Sequence, residues 1–479
     1  MKTAKTQTRR SRRGLVLPLA LAIALILAIL SIGLLRLGLG SRVNAALITA
    51  GLSARAAADA GITHALYRMN AALNFDGTIN PALWPPNVSG VALRPASDTS
   101  FSYTITSPDN VTYWEIISTG TVNRADRQIR TVHAITRRQS YWFGVGVKDK
   151  FYLMPGGTFD TFPEGSAFEG SVRTNGIDIS PGDIGLYSGT NIPGNVLVGP
   201  TDTVEPVVHN PGGGNPGTID GTLSAADSEL SFPDAELPPA DKLPPGGWQL
   251  GPALLLADYL DTGEIDLATG YPIKRKIITS GPSGIAYVYS DLTVPNFGGG
   301  VVWELRLVGG FVINVTAKMI IEGDARLTIG DGVYDPLLGD HLDLYLGSSG
   351  PVVPSNFSSF DARTDSTIFT LPRALGELPH SVDLKIYGLP TCTTNSKVDP
   401  AITLHNSSTF WGVIYAPDAP ISVHNSGLMY GSFIGFSMNL DNSGAFYYDS
   451  RIPSEQNEGP MFFEIERWWE EAGSPAGGP

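Results

Sequence analysis

From Gly14 to Leu35 the chain carries no charged residue, and Leu, Ile and Ala dominate the run. As a helix rising 1.5 Å per residue, it is about 33 Å long, enough to cross a bilayer core. Lys2, Lys5, Arg9, Arg10, Arg12 and Arg13 precede it. Basic residues beside a first span stay on the cytoplasmic side, so everything after about Arg36 is expected outside. A cleaved secretory signal is the competing reading. Val43, Asn44 and Ala45 fit the small, any, small pattern with a cut before Ala46, but secretory apolar cores usually run about 7 to 15 residues. Both readings export the remainder.

Composition fits an exported chain. A single cysteine, Cys392, allows no intramolecular disulfide, so packing and hydrogen bonds must hold the fold. The net charge is −14. Without the six basic residues before Gly14 it is about −20, a poor surface for nucleic acid. Charged residues make up only 16%, against 55 Gly and 36 Pro, which points to a turn-rich and mainly β body.

A helical pattern continues past the apolar run. Val43, Leu47, Ala50, Ala54, Ala57, Gly61, Ala65, Met69 and Leu73 recur at gaps of three or four, which keeps them on one face. No proline interrupts Pro18 to Pro81, so one helix is predicted from about 15 to 72, stopped by Asn74, Asp76 and Gly77. Alternating segments around Phe101 to Ile105, Tyr113 to Ile117 and Ile129 to Ile135 predict a three-stranded meander. Its turns fall at Ser107 to Asn110 and Asn123 to Asp126.

These residues carry a resemblance. The basic cluster, Gly14, the apolar span and then Ala56, Ala57, Ala58, Asp59, Ala60, Gly61 and Ile62 look like the N-terminal region of PilX-type minor pilins. Trp114 to Gly120, followed by Arg127 and Arg130, is similar to the meander of pilin heads. The resemblance implies cutting by prepilin peptidase after Gly14, with Leu15 as the new N-terminus. It also implies partnership with type IV pilus or type II secretion-like machinery. Major pilins carry a glutamate at the fifth mature position, and here that position is Leu19. A bulk fibre subunit is therefore not expected.

Near the C-terminus a hexapeptide recurs: Ile402 to Ser407, Ile421 to Ser426 and Met438 to Ser443. A period of about 18 residues fits one winding of a β-solenoid, whose inward side chains form a continuous core. Asn tolerates the left-handed backbone of a sharp corner, so Asn406, Asn425 and Asn442 are expected to stack as a corner ladder. His405 and His424 offer the alternative of a binding surface, but Asp441 takes the histidine's place in the third repeat. Phe410 to Pro417, Tyr430 to Ile434 and Tyr447 to Asp449 resemble the closing windings of an uncharacterised β-helical domain that follows PilX-type N-termini in bacterial surface proteins. Weaker windings are read at 168–198, 277–329, 342–346 and 382–386. Residues 200–252 read as a Gly/Pro-rich insertion, and 253–260 as a short helix lying on the solenoid or capping it. The aromatic tail around Phe462 to Trp469 is expected to cap the last winding.

No catalytic pattern emerges. The histidines have no metal-ligand spacing, and Gly298 to Gly300 lack the lysine of a phosphate loop. Asp324, Asp331, Asp335, Asp340 and Asp343 could offer oxygens to calcium, but the glycines among them indicate turns first. The expected fold is a right-handed β-helix after a long pilin-like α-helix and a small antiparallel meander. Its parts are a cytoplasmic stub (1–13), a transmembrane helix (14–40), the helix continuation and meander (41–140), the solenoid (141–452) and a tail (453–479). The expected function is that of a single-pass, membrane-anchored structural or adhesive surface protein, a minor pilin or pilus-assembly component with a surface glycan or protein as ligand. No cofactor, metal, catalytic residue or nucleic acid is expected. The alternative is a membrane-anchored β-helical enzyme acting on cell-surface polysaccharide.

Overall fold

The computed structural model describes residues 16–73, 79–95, 97–107, 113–123, 128–140, 144–162, 172–174, 184–186, 189–199, 208–209, 217–225, 232–331, 339–349, 358–372, 379–393, 401–452 and 461–471. The chain is mainly β after one long helix. It divides into two compact units, and the second, 140–461, is inserted in sequence within the first.

The first unit is built on helix α1, Val16–Ala71. From Leu21 to Ala46 every residue is exposed, and this part is apolar and long enough to cross a membrane. Ser31 and Thr49 return their hydroxyls to the carbonyls of Leu27 and Ala45, so these polar groups are satisfied within the helix. Burial begins at Ala50 and continues through Ala54, Ala57, Ala58, Ile62, Ala65 and Met69. Small residues on that stripe let α1 approach a sheet made of β1 (Val88–Ala92), β2 (Thr99–Thr106), β3 (Tyr113–Val122) and β4 (Gln128–Ser140). β1, β2, β3 and β4 pair antiparallel in sequence order. Phe101, Tyr103, Trp114, Ile116, Val132 and Ala134 meet the helix in one core. The segments expected to stop the helix and to turn the meander (74–78, 108–110, 124–126) lie outside the described residues.

The tail corrects an expectation. Met461–Glu470 is a fifth strand beside β4 in this sheet, not a cap on a parallel winding. Phe463 is buried there, packs edge-on against Trp114, and accepts and donates hydrogen bonds with the Asn70 side chain. An aromatic alternation is satisfied equally by a cap or by a strand, so the sequence pattern could not separate them.

In the second unit, strands pair in parallel along three ladders. Residues 409–424 show the plan: Thr409–Gly412 pair with Leu428–Gly431, Val413–Ala416 with Ser432–Gly435, and Pro420–Val423 with Ser437–Leu440. Inward side chains stack from strand to strand, as in the fully buried or nearly buried column Phe410, Met429, Phe446 and Phe159. Outward positions are polar or aromatic, which gives the strands their alternation.

The ladders do not follow chain order. Phe433–Gly435 pair onward with Val145–Val147, Met438–Leu440 with Phe151–Leu153, and Ala445–Asp449 with Thr158–Phe162. Beyond these come Val172–Thr174, Val196–Val198 and finally Leu223–Ala225. The other end begins with Trp248–Leu250 and Pro272–Thr279. The order along the ladders is thus 248–449 and then 145–225, and the chain between Ala225 and Trp248 must return from one end to the other. On this path Phe232 and Ala235 are buried, and the Tyr415 hydroxyl donates to the Pro233 carbonyl at 2.7 Å. The stretch read as an insertion therefore contributes ladder strands at Val208–His209, Leu223–Ala225 and Trp248–Leu250. The helix expected at 253–260 is a single 3₁₀ turn, Leu256–Asp258.

Candidate functional site

Gly14 and Leu15, the residues of the expected peptidase cut, lie outside the described residues. The other candidate positions fall at one corner of the ladders. Asn406, Asn425 and Asn442 have φ of 52°, 52° and 44°, in the left-handed region that Asn tolerates best after Gly. Ser407, Ser426 and Ser443 follow with φ of 64° to 68°. The Asn425 side-chain amide donates to Asn406 Oδ1 at 3.2 Å, and the Asn406 side-chain amide donates onward to the Thr364 hydroxyl at 3.2 Å. Asn442 joins through the backbone, its carbonyl accepting from the Ser426 N–H at 3.2 Å, as the Asn425 carbonyl accepts from Ser407 at 3.0 Å.

Sequence reasoning missed the rest of this column. Asp365 and Asp324 take the same left-handed conformation, with φ of 56° and 57°, and Gly156 carries φ of 80° beside Ser443. The Asp365 N–H donates to the Asn406 carbonyl and the Asp324 N–H to the Thr364 carbonyl. Thr364, Asp365 and Ser366 were the available signal, since Asp shares the tolerance of Asn for this backbone. Asp324 thus belongs to the corner, and Asp340 accepts from the Gly309 N–H. Asp335 lies outside the described residues. Among the described residues, no group of three His, Cys, Asp or Glu side chains could hold a metal ion.

Beside the corner, His405 and His424 stack with centroids 5.3 Å apart. His405 Nε2 lies 3.0 Å from Asp361 Oδ1, and His424 Nδ1 lies 2.9 Å from the Ser422 hydroxyl. Burial holds the His424 imidazole below its ordinary range; Asp441 opposes this and His405 adds to it. Burial would raise the Asp361 carboxyl, but hydrogen bonds from Arg363 and His405 outweigh it and hold it low. Asp361 is in register with Thr403, Ser422 and then Asn439, so the backbones at Asp361 and Asn439 stand three strand spacings apart, about 14 Å.

A second outward column consists of Trp411, Tyr430 and Tyr447. Their centroids are 4.0 and 4.9 Å apart, with planes within 9° and 14° of parallel. Both faces of Tyr430 and one face each of Trp411 and Tyr447 are used within the column. Cys392 is buried, and desolvation pushes its thiol up to about 12, which leaves no thiolate at neutral pH.

Comparison with known proteins adds little to this geometry. A family model described as a domain of unknown function, DUF7305, matches residues 309–455, less than half of the chain. No curated protein matches. Among solved structures, the competence-associated pilin ComZ from Thermus thermophilus is similar at 13% identity over 88% of this chain and 98% of that one, with a TM-score of 0.25. A superposition that loose carries no argument about this chain.

Proposed function

We propose that this chain is a membrane-anchored, pilin-like surface protein with a structural or adhesive role, serving as a minor component of type IV pilus or type II secretion-like machinery. The observation that carries the reading is α1: one continuous helix, exposed from Leu21 to Ala46 and uncharged up to Leu35, then seated from Ala50 onward on an antiparallel sheet. The basic cluster before Gly14 sets the N-terminus in the cytoplasm and everything after about Arg36 outside. The parallel ladders wind as a right-handed, three-sided β-helix displayed at the cell surface. No catalytic role is assigned to it. The N-terminal mass of the native protein tests the reading: Leu15 is expected, whereas Met1 or Ala46 would remove prepilin processing from it.

A further inference from the structure

The parallel ladders begin at an end that is both open and apolar. Among the described residues of this unit, every exposed large hydrophobic side chain lies between Leu250 and Phe297. Leu250 is 87% and Leu267 is 99% exposed, with Leu255, Leu260 and Ile277 also more than half exposed. Stacked windings need a terminal cap with a polar outer face, and concentrated apolar exposure marks an interaction surface. This end has the reverse composition.

The backbone at the same place identifies what covers it. Among the described residues, Trp248–Leu250 pair only with Ala286–Val288, and Asp291–Val294 only with Lys318–Ile321. Pro272–Thr279 pair along one side with Val302–Val308. On the other side an antiparallel strand, Leu260–Ile265, reaches Pro272, Lys274 and Arg275 and goes no further. Lys276 to Thr279 therefore present an outer row of main-chain donors and acceptors without a strand among the described residues. Such a row is matched by another extended chain, and not by a lipid or a sugar.

Charge narrows the partner. The basic side chains here are engaged: Lys274 lies over the Trp303 ring, Arg275 binds Glu264 and Glu304, and Lys276 binds Asp258. Asp261, in register with Lys274, is an exposed carboxylate that accepts from the Gly263 N–H. We infer that this end docks an extended segment of another polypeptide, apolar on one face and basic on the other, which adds as a strand along Lys276–Thr279. This surface is independent of the membrane anchor and of any pilus role.

The test uses the full chain in phosphatidylcholine nanodiscs and the peptide Lys-Val-Thr-Val-Lys-Val-Thr-Val-Lys, with a copy N-methylated at alternate amides. The unmodified peptide is expected to bind saturably and to slow amide exchange at 276–279, with affinity at least tenfold above that of the methylated copy. Ile277→Asp, at an exposed position, is expected to lower binding at least tenfold with an unchanged melting curve. Equal binding of both peptides overturns the proposal. So does a gain of dimer, or of binding to added phosphatidylcholine vesicles, that Ile277→Asp abolishes while leaving peptide binding intact. If the variant misfolds, the two peptides on the wild-type chain still decide.

Discussion

At the scale of single residues, the corner of the ladders is where backbone conformation dictates side-chain identity. A left-handed residue costs an L-amino acid roughly 1–2 kcal/mol, and Asn offsets part of this by local hydrogen bonding. Asn425 does both, holding φ at 52° and donating to Asn406. Asn425→Ala is expected to destabilise the unit by about 1–2 kcal/mol and Asn425→Gly by less, because glycine restores the backbone but not the bond. Denaturation midpoints of the two variants give the order. His424 makes a separate prediction. Its folded pKa lies below the unfolded value of 6.5, so the unfolded chain binds the proton more readily. Its contribution to stability is therefore present above about pH 6.5 and declines as pH falls through the folded value. Melting temperatures from pH 8 to 5 should fall more steeply for the wild type than for His424→Gln. Equal slopes would mean that His424 does not carry the dependence.

At the scale of elements, α1 and its sheet show what a sequence can and cannot convey. The stripe from Ala50 to Met69 is legible because a 3.6-residue period survives whatever the helix packs on. β2, β3 and β4 are legible because each alternates on one buried face. β1 was not: it is short and bulged between Val88 and Val91, with Gly90 at φ 66° and little burial to create a pattern. The closeness of helix and sheet is likewise invisible until the glycines are placed. A Cβ on Gly120 would overlap the Ala54 carbonyl oxygen of α1, a backbone atom that can yield only if the helix moves. A Cβ on Gly61 would meet the Ser118 hydroxyl, the end of a side chain that can turn. Gly120→Ala is accordingly expected to cost about 3 kcal/mol and Gly61→Ala about 1 kcal/mol. Thermal unfolding of the two variants checks the ranking, and Ser118→Ala should recover part of the loss in Gly61→Ala alone.

At the scale of the whole molecule, the ladder order 248–449 followed by 145–225 decides how stability is shared along the chain. The sequence repeats disclose that strands recur at a fixed spacing, since Ile402, Ile421 and Met438 head the same motif and pair in parallel. They carry no information about which winding neighbours which, because parallel pairing is set by shape and inward packing and any apolar winding fits any other locally. Phe433 is the test position. It is fully buried and faces Ile414 in one neighbouring winding and Val145 in the other. Phe433→Ala should cost about 3–5 kcal/mol through loss of packing and the cavity left behind. Local opening follows contacts and not sequence, so amide exchange should rise at 145–147 and 151–153 together with 413–416. The strands at 302–308 and 325–329, nearer in sequence to Phe433 but several windings away, should keep their protection. Exchange that rose at 302–329 and left 145–153 unchanged would mean that the windings stack in chain order, and the return path through Phe232 and Ala235 would then have no ends to join.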